Sequence, residues 1–369
     1  MKKFLVIDPF IHKEEHYIVD RAFLEYFSKY ESLVLVNETL KKKCVDLDLS
    51  FLPSLSDSRS NNKLLRWLFR ECYKVIYTIL VLLVNVIPRR RVVFLAMSQF
   101  QFLIFGLVCF LFRFKVSIVM HHYAECLIKS KSELIYSERL FFIGYRLFNR
   151  LSDVRFLYLS KHIKDAIPDN GKNYYINHPI PLSMIRDVPF NNLKLRNDEI
   201  NIATIGLLSS SRKNSHLINE LICNEKYNLW VIGRFAKNEG FTINQNIRSL
   251  LWNGMYTSEE FKVAIANIDC FVYFFDKEQY RCTASGTLID AILYNKFVLS
   301  LRNVAAESLL SNYNKKLFFS TLEEMNLFLI DNKLEAFIRE GITCVDPRVS
   351  YCLMSQDFID VEALKSWLA

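Results

Sequence analysis

Cys270-Phe271-Val272-Tyr273-Phe274-Phe275, then Tyr280-Arg281-Cys282-Thr283-Ala284-Ser285-Gly286-Thr287-Leu288-Ile289-Asp290-Ala291, then Phe297-Val298-Leu299-Ser300-Leu301 carry the decisive pattern. An unbroken apolar run gives way to a loop of small and hydroxylated residues. An amphipathic stretch follows from Ser285 to Asn295, and then a second apolar run. This reads as strand, loop, helix, strand. Short runs that are apolar throughout, rather than alternating, belong to strands covered on both faces, hence to a parallel sheet with helical crossovers.

The same alternation extends in both directions. Upstream lie strands at Ile202–Leu207 and Leu229–Gly233 and helices at Asn214–Cys223 and Ser258–Asn267. Downstream, helices are expected at Ala305–Asn312, Leu322–Ile330 and Val361–Leu368. The N-terminal half repeats the theme. Its strands are Phe4–Asp8, Leu33–Asn37, Val92–Ala96, Val116–Met120, Phe156–Ser160 and Tyr174–His178. Its helices are Glu15–Lys29, Gln99–Phe112, Leu134–Leu151 and Lys161–Ile167. Between the halves, Pro179–Asp198 is polar and proline-bearing, which marks a linker. The expected class is α/β, with two Rossmann-like domains at 1–182 and 199–352 facing a central cleft; the helix within 353–369 is expected to pack back on the first.

Bulk composition narrows the function. The chain has 369 residues, enough for two α/β domains, and a formal net charge of +8 that suits an anionic partner. Its nine glycines form neither a G-x-G-x-x-G nor a Walker A pattern, which disfavours dinucleotide and P-loop chemistry. The nine cysteines form no C-x-x-C pair and read as buried thiols in a reducing cytoplasm. No basic helix or aromatic-basic sheet signature supports nucleic-acid binding. Asp8 interrupts the apolar run behind Met1-Lys2-Lys3 too early for an export signal.

Leu64–Ile87 stands apart. Its apolar run Val75–Ile87 is about 13 residues, short of a membrane span, and Arg89-Arg90-Arg91 follows. It is either a buried domain helix or an amphipathic helix on an anionic membrane surface. Phe100–Phe112, between two strands, is expected to be core.

Two loops carry the chemistry. Gly206 ends a strand and leads into Ser209-Ser210-Ser211-Arg212-Lys213-Asn214. Two cations and several hydroxyls there could hold diphosphate oxygens; a solvated turn, with Asn214 capping the next helix, is the alternative. The second loop ends in Ser285, an expected N-cap, with Gly286 and Thr287 opening the helix and Arg281 adding charge. A helix start of this kind receives anions. Asp290 lies one turn further along the same face, placed for ribose hydroxyls. Simple capping plus an acid in the first turns explains the same residues without a ligand.

With these motifs the chain resembles the GT-B glycosyltransferases, in particular the retaining, family 4-like group that builds bacterial surface polysaccharides. The resemblance also takes in Val231-Ile232-Gly233, Trp252-Asn253-Gly254, Ser258-Glu259-Glu260-Phe261, Ala266 to Val272, and Asn295-Lys296-Phe297-Val298. It implies that a sugar passes from a nucleoside-diphosphate sugar to a glycan or lipid-linked glycan in O-antigen, capsule or exopolysaccharide synthesis. It further implies a cytoplasmic enzyme, peripheral at the inner face of the plasma membrane, without cofactor or metal. Gly206, Arg281, Ser285, Gly286, Thr287 and Asp290 then bind the donor, with Asp290 on the ribose. Arg212, Lys213, His121 and His16 serve catalysis; Asp8, Glu15, His122 and Tyr123 face the acceptor. His121-His122 could equally be core residues or metal ligands.

One position departs from that pattern: the family carries a glutamate eight residues before the ribose acid, and here that residue is Cys282. The departure leaves room for a catalytically inactive binding or assembly subunit. A single-domain GT-A transferase, suggested by Asp46-Leu47-Asp48 as a metal-binding D-x-D, leaves the second βα domain without a place.

Overall fold

The computed structural model describes residues 3–10, 17–56, 62–121, 123–130, 132–181, 199–254, 257–278, 280–311, 313–342 and 362–368. They fall into two compact units: 3–181 together with 362–368, and 199–342.

The first unit contains seven parallel strands: β1 (Phe4–Ile7), β2 (Ser32–Leu35), β3 (Ser50–Phe51), β4 (Arg91–Phe94), β5 (Val116–Met120), β6 (Val154–Tyr158) and β7 (Asn173–Tyr175). Their order across the sheet is β3-β2-β1-β4-β5-β6-β7. Strands β1, β4 and β5 are buried along their whole length, which is why they read as continuous apolar runs. Arg91 is tolerated inside because Asp153 receives its guanidinium at 2.8 and 3.0 Å. The Glu362–Leu368 helix packs on β6 and β7. Trp367 is fully buried beside Phe23, and its carbonyl accepts the Ser117 hydroxyl at 2.9 Å.

The second unit contains six parallel strands: β8 (Ile200–Leu208), β9 (Tyr227–Phe235), β10 (Arg248–Leu251), β11 (Cys270–Tyr273), β12 (Phe297–Leu301) and β13 (Lys316–Phe319). Their order is β10-β9-β8-β11-β12-β13. The order therefore reverses between β8 and β11, and a parallel sheet opens a crevice at the carboxyl ends of its strands at such a point. In the first unit the reversal falls between β1 and β4.

Two expectations need correction. Asn214–Cys223 does not form an α-helix: Asn214 is left-handed at φ 47°, and only a 3-10 turn, Ser215–Glu220, follows. Gln99–Phe112 is not wholly core. Phe102, Phe105, Gly106 and Cys109 are buried, but Leu107, Phe110, Leu111 and Phe112 are exposed. Residues 63–84 form one continuous helical stretch with a π-helical segment at Phe69–Tyr73. One of its faces buries Glu71, Val75, Thr78 and Leu82; the other exposes Ile76, Leu80, Leu83 and Val84. No described helix is long and apolar enough to cross a membrane.

Candidate functional site

The best-built site sits at the reversal point of the second sheet. β8 and β9 run in register with Gly206 beside Gly233. Both glycines have positive φ, 90° and 147°, and a β-carbon on Gly233 would lie 1.9 Å from the Gly206 carbonyl oxygen. Two bare backbones thus come together where side chains would collide. A β-carbon on Gly206 would lie 2.5 Å from Thr287 Cγ2 and 3.7 Å from Lys213 Nζ. The end of β8, the loop after it and the first turn of the Gly286–Leu293 helix therefore meet at one spot.

The loops on this edge brace one another. The Arg212 guanidinium donates to Thr283 Oγ1 at 2.8 Å and lies 5.7 Å from the centre of the Tyr280 ring. Its carbonyl accepts from the Asp276 N–H at 3.0 Å, and the Asp276 carbonyl accepts from Asn303 Nδ2 at 3.0 Å. Tyr273, at the end of β11, donates its hydroxyl to the Thr287 carbonyl at 2.6 Å. Phe275 and Tyr280 stack at 4.2 Å beneath. Loops following β8, β11 and β12 are thus one connected body.

Lys213 and Asp290 are the electrostatic centre. Burial pushes the Lys213 ammonium down to about 8; Asp290 works against that shift and Arg212 adds to it. Burial pushes the Asp290 carboxyl up to about 7, with Lys213 opposing. Each charge is dehydrated, and each partly compensates the other. Both side chains keep some exposure, so a ligand can reach them. An anion placed here would meet an ammonium short of solvent and the Gly286–Thr287 helix start, where N–H groups have no intrahelical partner.

Of the residues singled out in the sequence, Gly206, Lys213, Thr287 and Asp290 are brought together, and Arg212 is tied to the same loop through Thr283. Arg281 is exposed on that loop, without a side-chain hydrogen bond or ion pair among the described residues. Ser285 stands at the N-cap position but does not cap: its hydroxyl pairs with Thr287 Oγ1 at 3.0 Å. The serine loop also differs from expectation. Ser209 donates its hydroxyl to Glu239, and Ser211 donates its own to the same carboxylate oxygen at 2.8 Å. These bonds hold the Glu239 carboxyl below its ordinary value. Ser209 in turn accepts the Arg212 N–H at 3.0 Å, so Glu239 shapes the loop that carries both cations. Glu239 follows β9 in a turn with no motif, and nothing in the sequence signalled it.

The first unit carries less. Asp8 ends β1 but is fully buried, as is Asp20, whose carboxyl is pushed well up by burial and then by Asp8. Asp8 is therefore packed beneath the sheet edge rather than exposed to an acceptor. Gln101 donates to the Pro9 carbonyl at 3.2 Å, and Ser98 donates to the buried Glu71 at 2.6 Å. Glu71 was missed because it sits in an apolar helix; Lys74, three residues on, is equally buried. His121 follows β5, partly buried. Tyr123 adopts φ 65° and packs against Phe141 at 5.5 Å. Glu15, His16 and His122 lie outside the described residues. Asp46 of the D-x-D is committed to Arg21, which donates to Oδ1 at 2.8 Å and also to Oδ2. Among the described residues no group of three or more acids, histidines or cysteines is disposed to hold a metal.

No family model matches the chain, and no curated protein matches it by sequence. Solved structures do. Anabaena HepE, crystallised with UDP-glucose, superposes at a TM-score of 0.64 with 11% identity, over 99% of each chain. The lipopolysaccharide outer core galactosyltransferase WaaB gives 0.54 with 12% identity, over 99% of this chain and 97% of its own. A UDP-N-acetylglucosamine 2-epimerase candidate from Listeria monocytogenes gives 0.53 with 13% identity, over 94% and 92%. At such identities the likeness speaks for the fold. Two parallel α/β sheets, matched along the chain by glycosyltransferases of this architecture, make this a protein of the GT-B fold.

Proposed function

We propose that the chain is a glycosyltransferase that moves a sugar from a nucleoside-diphosphate sugar to a glycan or lipid-linked glycan acceptor in bacterial surface polysaccharide synthesis. The observation that carries this reading is the convergence of Gly206, Lys213, Thr287 and Asp290 at the reversal point of the second sheet. Diphosphate oxygens would meet Lys213, Arg212 and the Gly286 helix start; ribose hydroxyls would meet Asp290. As the glycosidic bond to the donor breaks, negative charge grows on the leaving phosphate while the sugar becomes oxocarbenium-like. Fixed cations and helix N–H groups stabilise that charge where it develops. In a retaining reaction, the mode we favour, the leaving phosphate takes the acceptor proton. His121 and His16 remain the proposed catalytic groups of the first unit, with Glu15, His122 and Tyr123 on the acceptor side.

A second reading, a subunit that binds nucleotide sugar without turnover, draws on Cys282, a buried thiol where the resembling family carries a glutamate. One experiment separates the readings. The protein is incubated with a panel of UDP-sugars and glycan acceptors, and UDP and sugar are followed by chromatography. Transfer releases UDP and extends an acceptor. Epimerisation, the reaction of another protein class with this fold, leaves the nucleotide attached to an altered sugar. Binding by calorimetry with neither product supports the inactive subunit, and absence of binding refutes the nucleotide site.

A further inference from the structure

The structure assigns Glu239 as a positioning residue of the proposed donor site: its carboxylate fixes the Ser209 hydroxyl and so sets the course of the loop that carries Arg212 and Lys213. The inference rests on the nucleotide-sugar reading above and adds to it a residue that no motif marks.

Glu239 comes from a turn built to hold it. The Ala236 N–H donates to the Leu208 carbonyl at 2.7 Å, which pins the exit of β9 to the end of β8. The Glu239 N–H closes the turn on the Ala236 carbonyl at 3.1 Å, and Asn238 takes the left-handed position at φ 63°, a conformation that asparagine tolerates. Beyond the turn, the Phe241 ring lies edge-on to Phe235 at 5.1 Å. Asn219 donates to the Thr242 carbonyl at 2.8 Å and accepts the Asn244 N–H at 3.0 Å. The carboxylate is thus presented from a segment anchored on both sides.

It meets a serine whose polar atoms are all assigned. The Ser209 N–H donates to Ser215 Oγ at 3.3 Å, and the Ser209 carbonyl accepts the Ser215 N–H at 2.8 Å. The Ser209 hydroxyl has one proton, and Glu239 Oε2 takes it. The hydroxyl oxygen is left to accept, and it accepts the Arg212 N–H at 3.0 Å. The same Oε2 receives the Ser211 hydroxyl at 2.8 Å and the Ser211 N–H at 3.4 Å. A carboxylate can only accept, so these hydroxyls cannot turn round, and the backbone entering Arg212 has one course.

Charge makes the role testable. A negative group beside a diphosphate site opposes the ligand, so by charge alone its removal should tighten binding. Loss of positioning should loosen binding, and the two effects have opposite signs. UDP affinity is measured by calorimetry for wild type, Glu239→Ala, Glu239→Gln, Ser209→Ala and the pair Glu239→Ala, Ser209→Ala. Glu239→Ala should weaken binding about tenfold, the worth of one charge-assisted hydrogen bond, and Ser209→Ala by a like amount. Glu239→Gln keeps an accepting oxygen and sheds the charge, so it should bind at least as tightly as wild type. The pair should lose no more than Glu239→Ala alone, because the acid acts through that hydroxyl. Melting temperature should stay close to that of wild type, since Glu239 is only partly buried and Ser211 is exposed. Were Glu239→Ala to unfold, Ser209→Ala and Glu239→Gln decide the question. A wild type that binds no UDP removes the nucleotide reading, and this inference with it. A wild type that binds, with Glu239→Ala equal to it or tighter, overturns the inference alone. So do fully additive losses in the pair, or a Glu239→Gln variant as weak as Glu239→Ala.

Discussion

Lys213 offers a direct handle on the proposed anion site, because its ammonium titrates within the working range. Burial has lowered it to about 8, and Asp290 limits the drop. If the protonated form binds diphosphate, affinity must fall as pH rises through about 8. Near pH 7 about nine-tenths of the ammonium is protonated, and near pH 9 about one-tenth, so the apparent Kd for UDP should weaken about tenfold across that interval. The phosphate's own second ionisation, near pH 6, is already about nine-tenths complete at pH 7 and adds little across this window. Calorimetry with UDP at half-unit steps gives the curve. Lys213→Arg should abolish the alkaline limb, because a guanidinium stays charged throughout. Lys213→Met should weaken binding at every pH and flatten the profile. A wild-type Kd that holds constant through the same interval refutes the assignment of Lys213 to the phosphates.

Asp290→Asn should gain melting temperature relative to wild type as pH rises from 5 to 8. The carboxyl of the folded chain sits near 7, above its ordinary 3.8, so its stabilising contribution is full below the unfolded value and is lost as pH climbs through 7. The same variant should weaken UDP binding; a difference in melting temperature that ignores pH would count against the buried-acid account. Arg212→Ala should slow transfer a few hundredfold, the loss typical of one fixed donor to a developing charge, with little change in melting because the side chain is exposed. A large fall in melting temperature would trace the loss to the Arg212–Thr283 contact between loops rather than to charge stabilisation. Gly233→Ala should destabilise by about 2 to 4 kcal/mol in urea titrations, since its β-carbon would strike the Gly206 carbonyl and its φ of 147° is strained for alanine. An unchanged midpoint would mean that β8 and β9 can part without cost.

The strands inside each sheet were legible because burial on both faces makes them predominantly apolar, broken by single small polar residues such as Ser117 and Ser300. Val116–Met120 and Phe297–Leu301 stand where the apolar runs placed them. Three of the four edge strands were not. Ser50–Phe51 has two residues, and all four side chains of Arg248–Leu251 are exposed, so neither writes a hydrophobic run. Lys316–Phe319 opens with a lysine and is only partly buried. At the site, Gly206 and the Ser285–Asp290 stretch stood out because turns and helix starts demand particular residue types. Glu239 and Thr283 did not: each acts through a loop-to-loop approach, and any polar residue on a turn looks the same in one dimension. The Lys213–Asp290 coupling was hidden for a similar reason. Sequence pattern assigned the lysine to phosphate and the acid to ribose, each a plausible solvent-facing role. Only the fold showed that they share one dehydrated corner.

The seat of Trp367 has a consequence for the order in which this protein can be made. The indole is fully enclosed in the first unit, its Nε1 donates to the Arg155 carbonyl at 3.2 Å, and its carbonyl takes the Ser117 hydroxyl. Yet the ribosome reaches this helix only after it has threaded every strand of the second unit. During that interval the nascent first sheet waits with an aromatic socket lined by Phe23 standing open. The second unit, continuous in sequence, can close as it emerges. Synthesis thus inverts the order of the chain: the half that leaves the ribosome first is the half completed last.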